Sequence, residues 1–131
     1  MDITISKFVV GFIDRNDRYW FDLFTKPGFR HCLIFGYNKK INKWISFDWT
    51  KIGTEITILN NDEYIYVKSE AKKQLGATFI EIKKIQTMYS NWSWIPMYCV
   101  SVIKSLIGYK NYFVITPYQL YCALKKDAKE V

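Results

Sequence analysis

The alternation of apolar and polar positions divides most of the chain into short elements. Residues 8–13 form a compact run of β-branched and aromatic side chains that ends at the turn cluster Asp14-Arg15-Asn16-Asp17, which predicts a strand. Residues 19–24 fit one or two helical turns, broken by Lys26-Pro27-Gly28. Residues 29–37 and 43–49 read as two strands joined by the polar connection Asn38-Lys39-Lys40-Ile41-Asn42, which has hairpin length. Residues 54–59 add a third strand. Residues 62–74 read as a helix capped by Asn60, Asn61 or Asp62 and ended at Leu75-Gly76, with Tyr64, Val67, Ala71 and Leu75 on one face. Residues 78–85 return to a strand pattern, and residues 92–96 form an aromatic loop.

After Pro96 the period changes to 3.6. Val100, Ile103 and Ile107 form a stripe with Cys99 and Leu106 beside it, while Ser101, Lys104 and Ser105 lie opposite and Gly108 stops the helix. Residues 113–115 read as a short strand. Thr116-Pro117 supplies an N-cap and a proline at the first helical position, so a last helix runs through Leu120 and Leu124 into a charged tail. The expectation is a single α+β domain spanning residues 1–131, an antiparallel sheet with helices packed on it.

Composition adds two facts. The 131 residues are 50% hydrophobic and 18% aromatic, enough for a core without disulfides or metal, and no apolar run reaches the ~18 residues of a transmembrane helix. The net charge of +7 is carried almost entirely by lysine and by the second half. Residues 1–65 hold nine Lys/Arg against eight Asp/Glu; residues 66–131 hold ten against four. Only Arg15, Arg18 and Arg30 are arginines, the usual residue for bidentate phosphate and base recognition. The charge therefore reads as a solvated lysine face rather than a nucleic-acid site. Cys32, Cys99 and Cys122 are odd in number and widely spaced, so they form no disulfide framework. Residues 1–7 lack a basic region before an apolar stretch, so no signal peptide is expected and the chain reads as made in a reducing cytoplasm.

The single histidine narrows the chemistry most. It rules out a histidine-rich metal centre, and a zinc site would need His31, Cys32 and two distant cysteines to converge. The six glycines form no phosphate-binding loop. No cofactor is expected. What remains is a cysteine with a histidine. Cys99 stands at the start of a predicted helix, where unpaired N–H groups and the helix dipole favour a thiolate. His31, on a strand, can take or hold its proton. If the hairpin turn centres between Lys39 and Lys40, His31 lies opposite Asp48; a shift of one residue puts Thr50 there instead. Each residue also has a structural reading: Cys99 as a small core hydrophobe, His31 as a satisfied strand residue, Asp48 as a strand-end turn former and Trp92/Trp94 as packing. Cys32, facing away from His31, and Cys122 read as packing residues.

The segments Pro27-Gly28-Phe29-Arg30-His31-Cys32, Trp44-Ile45-Ser46-Phe47-Asp48, 99–108 and Thr116-Pro117-Tyr118-Gln119-Leu120 resemble those of short proteins from phages and prophage-like regions. Their order, histidine on a strand first and cysteine at a helix start later, is similar to the circularly permuted papain-like fold of the lecithin retinol acyltransferase relatives and the permuted NlpC-type amidases and peptidases. The resemblance spans roughly residues 8–125. It implies Cys99 as nucleophile, His31 as base and Asp48 as the orienting residue. It also implies an amide or ester substrate such as peptidoglycan peptide. Many permuted relatives carry a small polar residue before the cysteine, where this chain has Tyr98. Two other functions fit the same residues: a non-catalytic structural or adaptor protein of a virion, contacting neighbouring virion proteins, and a nucleic-acid-binding module.

Overall fold

The computed structural model describes residues 5–14, 28–50, 53–82, 98–107, 109, 114, 116–126 and 129–131. The predicted helical turns at 19–24, the aromatic loop at 92–96 and Gly108 lie outside them. Strands β1 (Lys7–Ile13), β2 (His31–Asn38), β3 (Lys43–Thr50) and β4 (Gly53–Leu59) are followed by helix α1 (Asn61–Leu75) and strand β5 (Thr78–Ile82). Helices α2 (Tyr98–Ile107) and α3 (Pro117–Lys125) and the two-residue strand β6 (Lys129–Glu130) complete the described elements. The strands form one antiparallel sheet in the order β4-β3-β2-β1-β5-β6, so the architecture is α+β, as expected. The charged tail differs from expectation: Lys129 and Glu130 pair with Glu81 and Ile80 as an edge strand.

Both faces of the sheet are covered near its middle, which explains why β1 is a nearly continuous apolar run. Phe8, Val10 and Phe12 point to one side, where they meet Cys32, Ile34, Ile80 and Ile82 from the sheet. Cys99, Val100, Ile103 and Ile107 of α2 and Leu120 and Leu124 of α3 close that core. Val9, Phe35, Trp44 and Phe79 point to the other side and pack with Tyr64 of α1. Each fully buried large side chain, such as Phe12 or Phe79, contributes about 1.5–3 kcal/mol by leaving water.

Local signals set the helix ends. Asn60 caps α1, its side chain accepting from the Glu63 N–H while Glu63 reaches back to the Asn60 N–H; Gly76 ends the helix in the left-handed conformation, φ 59°. Thr116 and Gln119 make the same reciprocal pair at α3, with Pro117 as the first helical residue.

Three expectations about faces are corrected. On α1, Tyr64 is buried and Ala71 packs with it, but Val67 and Leu75 are exposed. The helix is turned so that Tyr64 stacks on Trp44 at 3.7 Å, with the Lys68 ammonium over the Tyr64 ring. Lys104, expected on the polar face of α2, is buried, and its amine donates to the Val114 carbonyl at 2.9 Å. Cys122, expected to pack, is exposed on α3. Val114, expected within a strand, belongs to no strand; its neighbours 113 and 115 lie outside the described residues.

Candidate functional site

The β2–β3 hairpin positions the first two candidate residues. Its ladder runs from Asn38↔Lys43 to Ile34↔Phe47, so the turn spans residues 39–42 and centres between Lys40 and Ile41. Asn38 organises this turn by accepting from the Lys40 N–H at 3.0 Å, and Asn42 takes a positive φ of 54°. The centre is thus one residue beyond the one that would set Asp48 directly opposite His31. Continued outward, this register carries His31 to the level of Thr50 and leaves Asp48 one diagonal step away, a spacing that long side chains cross. The His31 Nε2–H donates to Asp48 Oδ1 at 2.6 Å. Asp48 is therefore the partner, reached diagonally; the Thr50 side chain lies outside the described residues.

The ladder also stops early. β2 continues beside β1 as far as Ile13↔His31, and β3 continues beside β4 as far as Thr50↔Gly53. Between them the β2–β3 pairing ends at Ile34↔Phe47, so residues 31–33 and 48–50 are not paired with each other. Arg30, just before this opening, pairs with Asp14 at 3.1 Å, and its N–H donates to the Ile13 carbonyl. These bonds tie the entry of β2 to the exit of β1.

Helix α2 packs across β2 and β3 and brings Cys99 to this opening from its first turn. There Cys99 interacts electrostatically with both the His31 ring and Cys32. Each ring nitrogen offers one in-plane position. Asp48 occupies the position at Nε2, which leaves Nδ1 for Cys99. Strict alternation places Cys32 on the far side from His31, and Cys32 does point into the α2 core. This is the packing position expected of it, and from there it also acts on Cys99. No motif in the sequence marks Cys32 for that action.

The electrostatics follow from burial and these contacts. His31 is 12% exposed at its side chain and Asp48 37%. Burial alone would lower the His31 pKa. The hydrogen bonds to Asp48 and Cys99 and the negative charge of both outweigh it and hold the pKa at about 9. For Cys99 the largest influence is the hydrogen bond from the Cys32 thiol, which favours the thiolate. Burial opposes this, while His31 and the Cys32 backbone N–H add to it, and the Cys99 pKa falls well below its usual 9.0. Both shifts run in the direction that moves the Cys99 proton toward His31, which Asp48 orients.

Comparison of the chain with protein-family models, curated proteins and solved structures finds no match. The geometry therefore stands on its own. Among the described residues no three His, Cys, Asp or Glu side chains are arranged to hold a metal ion, and no helix is long and apolar enough to cross a membrane. Trp92 and Trp94 lie outside the described residues.

Proposed function

We propose that this protein is a thiol hydrolase acting on an amide or ester, with the His31, Asp48, Cys99 order of a circularly permuted papain-like enzyme. The observation that carries the reading is the connected set of Asp48, His31 and Cys99, with Cys99 in the first turn of a helix. The Cys99 thiolate attacks the substrate carbonyl, and the oxyanion forms near the unpaired N–H groups of the first turn of α2. His31 gives its Nδ1 proton to the leaving amine or alkoxide. It then takes a proton from the water that hydrolyses the acyl-cysteine. Asp48 keeps the ring oriented and stabilises its charge throughout. The resemblance to phage proteins makes peptidoglycan peptide the first substrate to test.

A p-nitrophenyl ester gives the direct test. Wild type releases a rapid burst of nitrophenol matched to one acyl group on Cys99, and it frees new amines from peptidoglycan. Cys99→Ala abolishes both. Absence of a burst in wild type, or a burst unchanged in Cys99→Ala, overturns the reading.

A second reading, an assembly protein of a virion, is favoured by one observation. β4 is the outer strand of the sheet, and its Ile56 and Ile58, on one face, are 61% and 63% exposed. A protein that stays monomeric at high concentration in sedimentation would count against it.

A further inference from the structure

The sheet ends on one side at β4, and the strand itself does little to protect that edge. β3 and β4 pair without a skip from Trp44↔Leu59 to Thr50↔Gly53, so β4 carries no bulge. Its sequence, Gly53-Thr54-Glu55-Ile56-Thr57-Ile58-Leu59, holds no proline and no lysine, residues that commonly blunt an exposed edge. Glu55, Ile56, Thr57 and Ile58 are all exposed, so no other part of the chain lies over them.

The hairpin also fixes which backbone groups face outward. A connection of two residues closes on a hydrogen-bonded pair, here Thr50↔Gly53. Alternation from that pair turns the N–H and C=O of Glu55 and Thr57 toward β3, and those of Thr54, Ile56 and Ile58 toward the free edge. Ile56 and Ile58 lie on the α2 side of the sheet, beside Phe47 and Ile45, their partners in β3. Phe47 packs against the α2 core and Ile45 is buried, so the two isoleucines carry that apolar surface on to the edge.

We infer that two copies of this chain pair through β4, antiparallel about a two-fold axis at Ile56, into one continuous sheet. This register matches the whole strand to itself. Gly53 faces Leu59 of the other copy, Thr54 faces Ile58, Glu55 faces Thr57 and Ile56 faces its own counterpart. Every outward N–H and C=O then meets one of the other copy, and Ile56 and Ile58 of both copies form one apolar cluster. Each Glu55 carboxylate faces a Thr57 hydroxyl, which can donate to it. An axis at Glu55 would instead set two carboxylates directly opposite each other. An axis at Thr57 would set Thr54 against Asn60, whose N–H already donates to Glu63. This self-matching of pattern and charge favours a second copy over a foreign strand.

Seven residues at about 3.4 Å each give an edge about 24 Å long, and one strand edge buries less than the ~1,200 Å² of stable interfaces. The dimer is therefore reversible and concentration-dependent. Because the contact uses the same edge of both copies, it closes at two chains. The pairing deepens the assembly reading, on whose exposed strand it rests, and is independent of the hydrolase.

The test follows sedimentation of the full chain from about 1 µM to about 1 mM, the range of weak association. The weight-average mass should rise toward that of two chains. Ile56→Lys, which sets two ammonium groups opposite each other at the axis, should stay monomeric with the urea midpoint of the wild-type monomer. Ile65→Lys, at a similarly exposed position on α1, should still dimerise. Residue-resolved amide exchange by NMR reads the register. Pairing of most chains should slow the Ile56 and Ile58 amides about tenfold and leave those of Glu55 and Thr57, which point to β3, unchanged. A wild type that stays monomeric at about 1 mM overturns the inference and the assembly reading together. Association that persists in Ile56→Lys, or that slows neither the Ile56 nor the Ile58 amide, overturns the inference and leaves the assembly reading standing. So does an equal loss of association in Ile65→Lys.

Discussion

Replacing Cys99 by serine reads the charge state of the site through folding stability. In the folded chain, between the depressed Cys99 pKa and about 9, the Cys99–His31 pair holds one proton, on the histidine. In the unfolded chain, between the ordinary values of 6.5 for histidine and 9.0 for cysteine, the pair also holds one proton, on the thiol. Stability changes with pH only through the difference in bound protons, so the pair contributes no slope across that window. Serine removes the balance and leaves His31 with Asp48. A group whose folded pKa is raised contributes stability that is fully present below its unfolded value and is lost as pH rises through its folded value. The full displacement of His31, from 6.5 to about 9, corresponds to about 3 kcal/mol at 1.36 kcal/mol per unit. Part of it belongs to the thiolate that serine removes, and Asp48 is partly exposed and screened. Cys99→Ser should therefore lose stability relative to wild type as pH rises through this window, by well under that figure, because burial opposes the Asp48 bond that remains. Urea unfolding followed by tryptophan fluorescence at closely spaced pH values measures this, and the difference between the two proteins cancels the other titrating groups. A difference that stays constant from pH 6.5 to 9 would refute the thiolate–imidazolium pair.

Two further substitutions test the packing that carries the site. In Gly11→Ala the added methyl would stand 2.6 Å from Phe79 Cε1, and Phe79 is fully buried, so the overpacked strand should lose about 1–3 kcal/mol; an unchanged urea midpoint would show that the ring can move aside. Lys104→Met keeps the buried stem but leaves the Val114 carbonyl without this donor, at a cost of about 1–3 kcal/mol, while equal or higher stability would mean that the carbonyl finds another partner.

Most elements could be read from the sequence because their signals are local. Asn60 with Glu63, and Thr116 with Pro117 and Gln119, mark helix starts through contacts within one turn. The apolar stripe of α2 likewise names its own buried face. Helix periodicity was less informative where a tertiary contact decides the rotation. The Tyr64–Trp44 stack turns α1 so that Val67 and Leu75 face outward, and the Val114 carbonyl draws Lys104 inward. Neither partner is near in sequence. Strand β6 was illegible for the same reason, since two charged residues become a strand only by finding the edge of β5.

The candidate site separates these two kinds of information most sharply. The choice of His31, Asp48 and Cys99 rested on residue type: one histidine, a carboxylate within hairpin reach and a cysteine at a helix start. The geometry that joins them rests on a departure from regularity. A perfect hairpin in the observed register would continue its ladder past Ile34↔Phe47 and hold His31 and Cys32 on opposite faces of a closed sheet. Because the β2–β3 pairing ends there, His31 meets Asp48 through Nε2, and Cys99 acts on the ring from the start of α2 with Cys32 beside it in the core. Alternation still separates His31 from Cys32, because both stay paired with Ile13 and Phe12 of β1. What the end of the β2–β3 ladder adds is the freedom of His31 to reach Asp48 diagonally, beside the start of α2 that carries Cys99.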